Sequence, residues 1–139
     1  MTSIARITLD DHAEWLDLWN GYLTFYEARL DDATTAATFA RLIDGRSDIH
    51  GAIARDSNGA TVGIVHWLTH PATWTTTDYC YLEDLFVAPD VRGGGIGRAL
   101  IEHVRAWAEQ NRSAKVYWSQ RNRTPRHERS MTGSHRTPA

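Results

Sequence analysis

The stretch YLEDLFVAPDVRGGGIGRALIEHVRAWAE (Tyr81–Glu109) restricts the fold more than any other part of the chain. It reads as the end of an apolar strand over Asp78–Pro89, a glycine loop at Arg92–Gly97 and an amphipathic helix over Gly95–Asn111. Ile96, Ala99, Leu100, His103, Val104 and Trp107 fall on one face of that helix. A helix start has free backbone N–H groups and the positive end of the dipole, which together cradle phosphate. Glycines let phosphate oxygens approach without a Cβ in the way. Arg92 and Arg98 add charge and forked hydrogen bonds. The plain alternative is a flexible strand-to-helix connection. A Walker loop is excluded, because no Lys-Ser/Thr pair follows the glycines. A Rossmann fingerprint fits poorly, because the order is R-G-G-G-I-G and no run of βαβ units follows.

The rest of the chain supplies a sheet for this unit. Ser3–Leu9 alternates as a first strand, and DDHAEW opens a helix with Asp10 or Asp11 as its cap. Trp15, Leu18, Trp19, Tyr22, Leu23, Phe25 and Tyr26 continue it at helical spacing. A second helix covers Ala33–Ile43. Strands at Ile49–Arg55 and Thr61–His70 flank Asn58–Gly59, a hairpin signal because both residues tolerate positive φ. Ala114–Ser119 is a last strand. The order β-α-α-β-β-β-α-β implies a mixed α+β sheet with helices packed on it.

Composition narrows the function classes. A chain of 139 residues fits one domain. Five Arg and one Glu give the last twenty residues +4, so the first 119 carry −6 of the net −2. The packing part is therefore not built for polyanions, and nucleic acid is not an expected partner. Cys80, the only cysteine, excludes an internal disulfide and a multi-cysteine metal site. Its expected place is the core. His50, His66 and His70 lack tight ligand spacing and read as core or pocket-lining residues, so no metal is expected. No apolar run approaches the ~20 residues of a membrane span. The N-terminus lacks a signal peptide's apolar stretch, so the expected location is cytoplasmic.

The Tyr81–Glu109 stretch resembles the acetyl-coenzyme-A-binding core of the GCN5-related N-acetyltransferase (GNAT) family. The family's R/Q-x-x-G-x-G/A signature appears as Arg92-Gly93-Gly94-Gly95-Ile96-Gly97. YLEDLFV is most similar to the branch of diamine, small-amine and histone acetyltransferases, and the element order over residues 1–119 matches. The resemblance implies the acyl-CoA N-acyltransferase fold, here cut short after the fifth strand. It implies acetyl transfer from acetyl-CoA to a primary amine of a small molecule, of polyamine or amino-acid type, by direct attack in a ternary complex. Backbone groups of Leu85, Phe86 and Val87 would pair with the pantetheine arm, one N–H polarising the thioester carbonyl. The pyrophosphate would sit on Gly93, Gly94, Gly95, Ile96, Gly97 and Arg98, with Arg92 beside it. Glu83 matches the glutamate of the diamine branch and is the candidate base, since an aliphatic amine is mostly protonated at neutral pH. Strand alternation sets Glu83 and Asp84 on opposite faces, so only one faces the acceptor, and Glu83 is preferred. Both are otherwise solvated or paired carboxylates. Tyr26, Glu27, Trp67, Tyr81 and Asp84 are the candidate acceptor contacts, with Tyr22 and Trp74 as further aromatics, and each is otherwise ordinary core or surface. The expected partners are a small-molecule amine and, where copies associate, a second chain as a homodimer.

One departure stands out. The family's leaving-thiolate acid is a tyrosine within a pattern like N-x-x-A-x-x-L-Y after the fifth strand, and no such segment follows Ser119. Residues 120–139 read instead as a basic, non-packing tail, which leaves a non-catalytic coenzyme-A-binding domain as the alternative function. Codon degeneracy suggests the cause. Read from third bases, codons for Arg121 to His135 can encode E-S-N-A-T-A-R-A-L-Y-D-R-V-A, which contains the missing pattern. Met131–Thr132 gives Asp without choice. The expectation is a frameshift at about Ser119–Gln120. Resequencing the gene across this region should show that pattern in the third-base frame. A third-base frame without it overturns the expectation.

Overall fold

Five strands and three α-helices make up residues 2–119, the part of the chain that the computed structural model describes. In chain order they are β1 (Ser3–Arg6), α1 (His12–Phe25), α2 (Asp32–Ile43), β2 (Ile49–Arg55), β3 (Thr61–Pro71), β4 (Asp78–Val87), α3 (Ile96–Gln110) and β5 (Ser113–Tyr117). The strands form one sheet in the order β1-β2-β3-β4-β5. Neighbours are antiparallel except β4 and β5, which α3 joins as a parallel crossover. The expected element order and mixed sheet are therefore present. The basic tail and the frameshift expectation lie outside the described residues.

The sheet is buried on both faces, which is why β2 and β3 read as nearly continuous apolar runs rather than strict alternations. On one face α3 lays Ile96, Leu100 and Val104 over Ala52, Val65, Leu82 and Leu85. On the other, Trp15, Leu18, Trp19, Phe39 and Leu42 of α1 and α2 cover Ile53, Ile64 and Phe86. Each fully buried aliphatic side chain contributes roughly 1.5–3 kcal/mol, so these two layers dominate stability. Gly51 exists for packing. A Cβ there would meet Ile7 Cδ1 at 2.7 Å and Leu42 Cδ2 at 3.0 Å. Cys80 is fully buried on the α3 face, and burial pushes its thiol up to about 12.

The strand before α1 is shorter than the alternation Ser3–Leu9 predicts. It stops at Arg6 because Asp11 folds back on Thr8. Thr8 donates to Asp11 Oδ2 from its backbone N (2.8 Å) and from Oγ1 (3.2 Å). Asp11 stands at the start of α1, yet its carboxylate does not bond the helix N–H groups. Its second oxygen accepts from Arg55 Nη2 at 2.6 Å, tying the end of β2 to the α1 entry. Burial alone would raise the Asp11 pKa. The Thr8 and Arg55 bonds outweigh it and hold the carboxyl below its ordinary range.

His50 and His103 sit between the sheet and α3. The His50 ring centroid lies 5.9 Å from Trp67 and 4.7 Å from Trp107, and His103 lies 6.0 Å from Trp67. Burial lowers the pKa of both. The Arg6 charge lowers His50 further, against a smaller opposing pull from Asp48. A histidine whose folded pKa is depressed binds fewer protons folded than unfolded. Its contribution is full above the unfolded value of 6.5 and falls as pH drops from there toward the folded value. Urea midpoints should therefore fall between about pH 7.5 and about pH 5.5, and the fall should shrink in a His50→Gln/His103→Gln variant. An equal fall in that variant would show that other groups carry the pH dependence.

Candidate active site

The site begins with one extra residue in β4. His66 pairs with Asp84 and Trp67 with Leu82, so Glu83 has no opposite number in β3. This is a β-bulge, and it reverses the facing of everything beyond it. Leu82 and Leu85 lie three residues apart yet both enter the α3-side core. Glu83 and Asp84 both line one cavity on the α1/α2 side. Regular alternation predicted opposite faces for the two acids. The bulge overrides it.

The cavity has a volume of about 830 Å³. Trp19, Tyr22 and Leu23 of α1, with Tyr26 just beyond its end, form one wall, and Thr38, Arg41 and Leu42 of α2 another. His66 and Leu68 of β3, with Glu83 and Asp84 of β4, make the floor. Ala28, Leu30, Asp48, Ile49, Trp67 and Thr69 complete it. Among these lining residues Arg41 is the one Lys or Arg, against the three acids Asp48, Glu83 and Asp84. Asp84 is fixed from two sides. Tyr22 OH donates to its Oδ1 at 2.7 Å, and His66 Nδ1 lies 2.9 Å from its Oδ2. Behind His66, Trp15 Nε1 donates to Nε2 at 3.0 Å.

The same strand leads from these acids to the glycine loop. Pairing between β4 and β5 ends at Tyr81–Tyr117. Beyond it, Leu85, Phe86 and Val87 pair with β3 and have no strand on their other side among the described residues. Arg92 closes the end of this edge. Its Nε donates to Val87 O at 3.0 Å, and its guanidinium lies over Phe25 (5.1 Å) and Phe86 (5.3 Å). Gly93 and Gly95 then take φ of 93° and 84°, conformations that favour glycine. A Cβ at either would meet no atom within 4 Å, so both positions face open space. Gly95 caps α3 without a side-chain bond, and no acidic residue lies in the first turn of α3. Its leading N–H groups thus have no side-chain acceptor, a fit for the phosphates of a coenzyme A ester. Among the described residues no three His, Cys, Asp or Glu side chains group as a metal site, and no helix is long and apolar enough to cross a membrane.

The predicted residues thus divide. Glu83, Asp84, Tyr22 and Tyr26 come together at the cavity, while Leu85–Val87 and Arg92–Arg98 follow on the same strand and loop. Trp67 borders the cavity, but it belongs to the α3-side core and its ring packs by His50, His103 and Trp107. Tyr81 is not in the lining. Its ring stands 4.9 Å from Tyr117, at the last rung before β5 ends. Trp74 is 77% exposed in the β3–β4 connection. Glu27 is not in the lining either. It ends α1 in a left-handed conformation (φ 54°), with Glu27 N–H donating to Thr24 O and Ala28 N–H to Leu23 O. The sequence reading does not place Arg41 or Trp15 at the site. Arg41 is one charge on a short helix, and nothing local marks it. Trp15 and Tyr22 carried a usable signal, a spacing of seven that stacks them about 10.5 Å apart on one helix face.

Comparison with known proteins follows this geometry. The profile of the Acetyltransferase (GNAT) family matches residues 13–129. The D-amino-acid N-acetyltransferase HPA3 of Saccharomyces cerevisiae is 35% identical over 116 residues, covering 83% of this chain and 72% of that protein. The ribosomal-protein-alanine N-acetyltransferase of Brucella melitensis biovar Abortus 2308 superposes with a TM-score of 0.78 at 23% identity, covering 100% of this chain and 94% of that one. The aminoglycoside 6'-N-acetyltransferase AAC(6')-Ih of Acinetobacter baumannii gives 0.78 at 19% identity, with the same coverage. At these identities the two structures share the fold.

The cap assignment of Glu27 is testable. A left-handed non-glycine residue is strained, so Glu27→Gly should raise unfolding stability by about 1 kcal/mol and leave acceptor KM unchanged. A rise in acceptor KM without a stability gain would return Glu27 to the acceptor site.

Proposed function

Because the chain belongs to the GNAT acetyltransferase family, we propose that it transfers the acetyl group of acetyl-CoA to the α-amine of a small amino acid-type acceptor. The observation that carries the reading is the arrangement along β4. Two carboxylates at the bulge face a cavity, a backbone edge follows them, and a helix start with no side-chain cap lies beyond. Acetyl-CoA supplies the acetyl thioester when bound. The N–H groups from Gly93 to Arg98 would hold its pyrophosphate. The edge of Leu85–Val87 would hold the pantetheine amides as an added strand, and one N–H there would take the developing oxyanion.

Glu83 removes a proton from the acceptor ammonium, directly or through one water. The freed lone pair forms the C–N bond as the C–S bond breaks; the nitrogen then gives its second proton to solvent, and coenzyme A leaves as the thiolate, which takes a proton from solvent. Asp84, held by Tyr22 and by its contact with His66, presents a fixed negative site that orients the ammonium beside Glu83. Arg41 makes no ion pair among the described residues and lines the same cavity, so it is the natural partner for an acceptor carboxylate. It favours an amino acid over a polyamine, which has no anion to offer. The yeast relative, a D-amino-acid N-acetyltransferase, supports the same choice.

Thiol release across free amino acids of both hands, their carboxamides and polyamines tests the reading. Free amino acids should be preferred over their amides. Arg41→Gln should erase about 10- to 100-fold of that preference, the worth of a charge-assisted hydrogen bond. Glu83→Gln should lower kcat by about 10²- to 10⁴-fold with little change in acetyl-CoA KM. A preference for polyamines would overturn the amino-acid acceptor. Coenzyme A binding with no thiol release from any acceptor would favour a binding domain without catalysis.

A further inference from the structure

Behind the cavity floor the hydrogen bonds run in one direction, and that direction follows from chemistry. An indole N–H can only donate, so His66 Nε2, 3.0 Å from Trp15 Nε1, must accept. The ring proton of a neutral imidazole then sits on Nδ1, which donates to Asp84 Oδ2 at 2.9 Å. Tyr22 OH donates to the other carboxylate oxygen at 2.7 Å. Every donor in the row points toward Asp84, and an ionised carboxylate is acceptor-only. The row is also buried, although His66 and Tyr22 border the cavity. Trp15 is 0% exposed, His66 4% and Tyr22 7%. The carboxylate meets the cavity at the end of the row.

Two elements build this row. His66 and Asp84 are opposite residues of β3 and β4, the last matched pair before the bulge. Trp15 and Tyr22 lie two turns apart on α1, a spacing that brackets an imidazole and a carboxylate laid end to end. Such a row cannot relay a proton inward, because its inner end is a donor with no acceptor site. It can only hold the Asp84 side chain still.

We propose that Trp15 and His66 are positioning residues for the acetyl transfer: Trp15 fixes the Nδ1–H tautomer of His66, and His66 with Tyr22 locks Asp84 as a carboxylate aimed into the acceptor cavity. The role in turnover rests on the acetyltransferase reading above, whereas the tautomer lock does not. A proton taken from the acceptor therefore leaves by Glu83 and solvent, not through His66.

The imidazole ¹⁵N shifts of the full chain test the lock directly. Wild type should show His66 as the Nδ1–H tautomer, and Trp15→Phe, which keeps an aromatic ring but no donor, should show a mixture. His66→Gln retains one donor and one acceptor at the end of its side chain and should keep kcat within about fivefold. His66→Leu keeps neither and should lose on the order of 10²-fold in kcat at unchanged acetyl-CoA KM. An Nε2–H tautomer in wild type, or an unchanged tautomer in Trp15→Phe, overturns the lock whether or not the leucine variant folds. Equal kcat in folded Gln and Leu variants overturns the positioning role. Absence of thiol release in wild type would instead strike the acetyltransferase reading, with the tautomer result standing on its own.

Discussion

The extra residue at Glu83 is the constraint on which the site depends. Without it, β4 would present alternate side chains to two buried faces, and one of Glu83 and Asp84 would enter the α3-side core among Leu82, Val65 and Leu100. A carboxylate buried there unpaired would cost several kcal/mol. With the bulge, Leu82 and Leu85 keep the core filled, and both acids turn to the cavity. The α3-side core and the cavity are thus satisfied by one local irregularity.

The rest of the site is arranged around that strand. α1 is amphipathic in the ordinary way, with Trp15, Leu18, Trp19 and Tyr22 buried. Two of these four also carry a hydrogen-bond donor to the polar groups of β3 and β4. Packing and polar satisfaction therefore select the same helix face, and a buried His–Asp pair is tolerated because its members are bonded. Phe86 joins the two halves. It packs against α1 on the acid side and lies under Arg92 on the glycine-loop side. A disturbance at the C-terminal end of α1 would reach both the cavity and the loop.

Much of this was legible in the chain. Hydrophobic periodicity placed every strand and helix of residues 2–119 within a few positions, because each element has a long apolar stripe or run. The glycine loop was legible because positive φ and an uncapped helix start demand it. Three readings needed more than periodicity. The facing of Asp84 depends on the register between β3 and β4, which alternation within one strand cannot report. The core place of the Trp67 ring depends on α3 arriving with His103 and Trp107. Glu27 reads as a polar residue after an aromatic run, and nothing local says that it takes the left-handed cap that glycine usually fills.

The sequence by itself determined the element order, the glycine-capped start of α3 and the presence of two adjacent acids on a buried strand. These follow from short-range rules, namely side-chain period, backbone sterics and the dipole of a helix start. Only the tertiary structure decided which groups those acids meet. Tyr22 lies sixty-two residues from Asp84, His66 eighteen, and Trp15 fifty-one from His66. Contacts of that reach are set by strand register and helix docking, and both are properties of the packed whole rather than of any stretch within it.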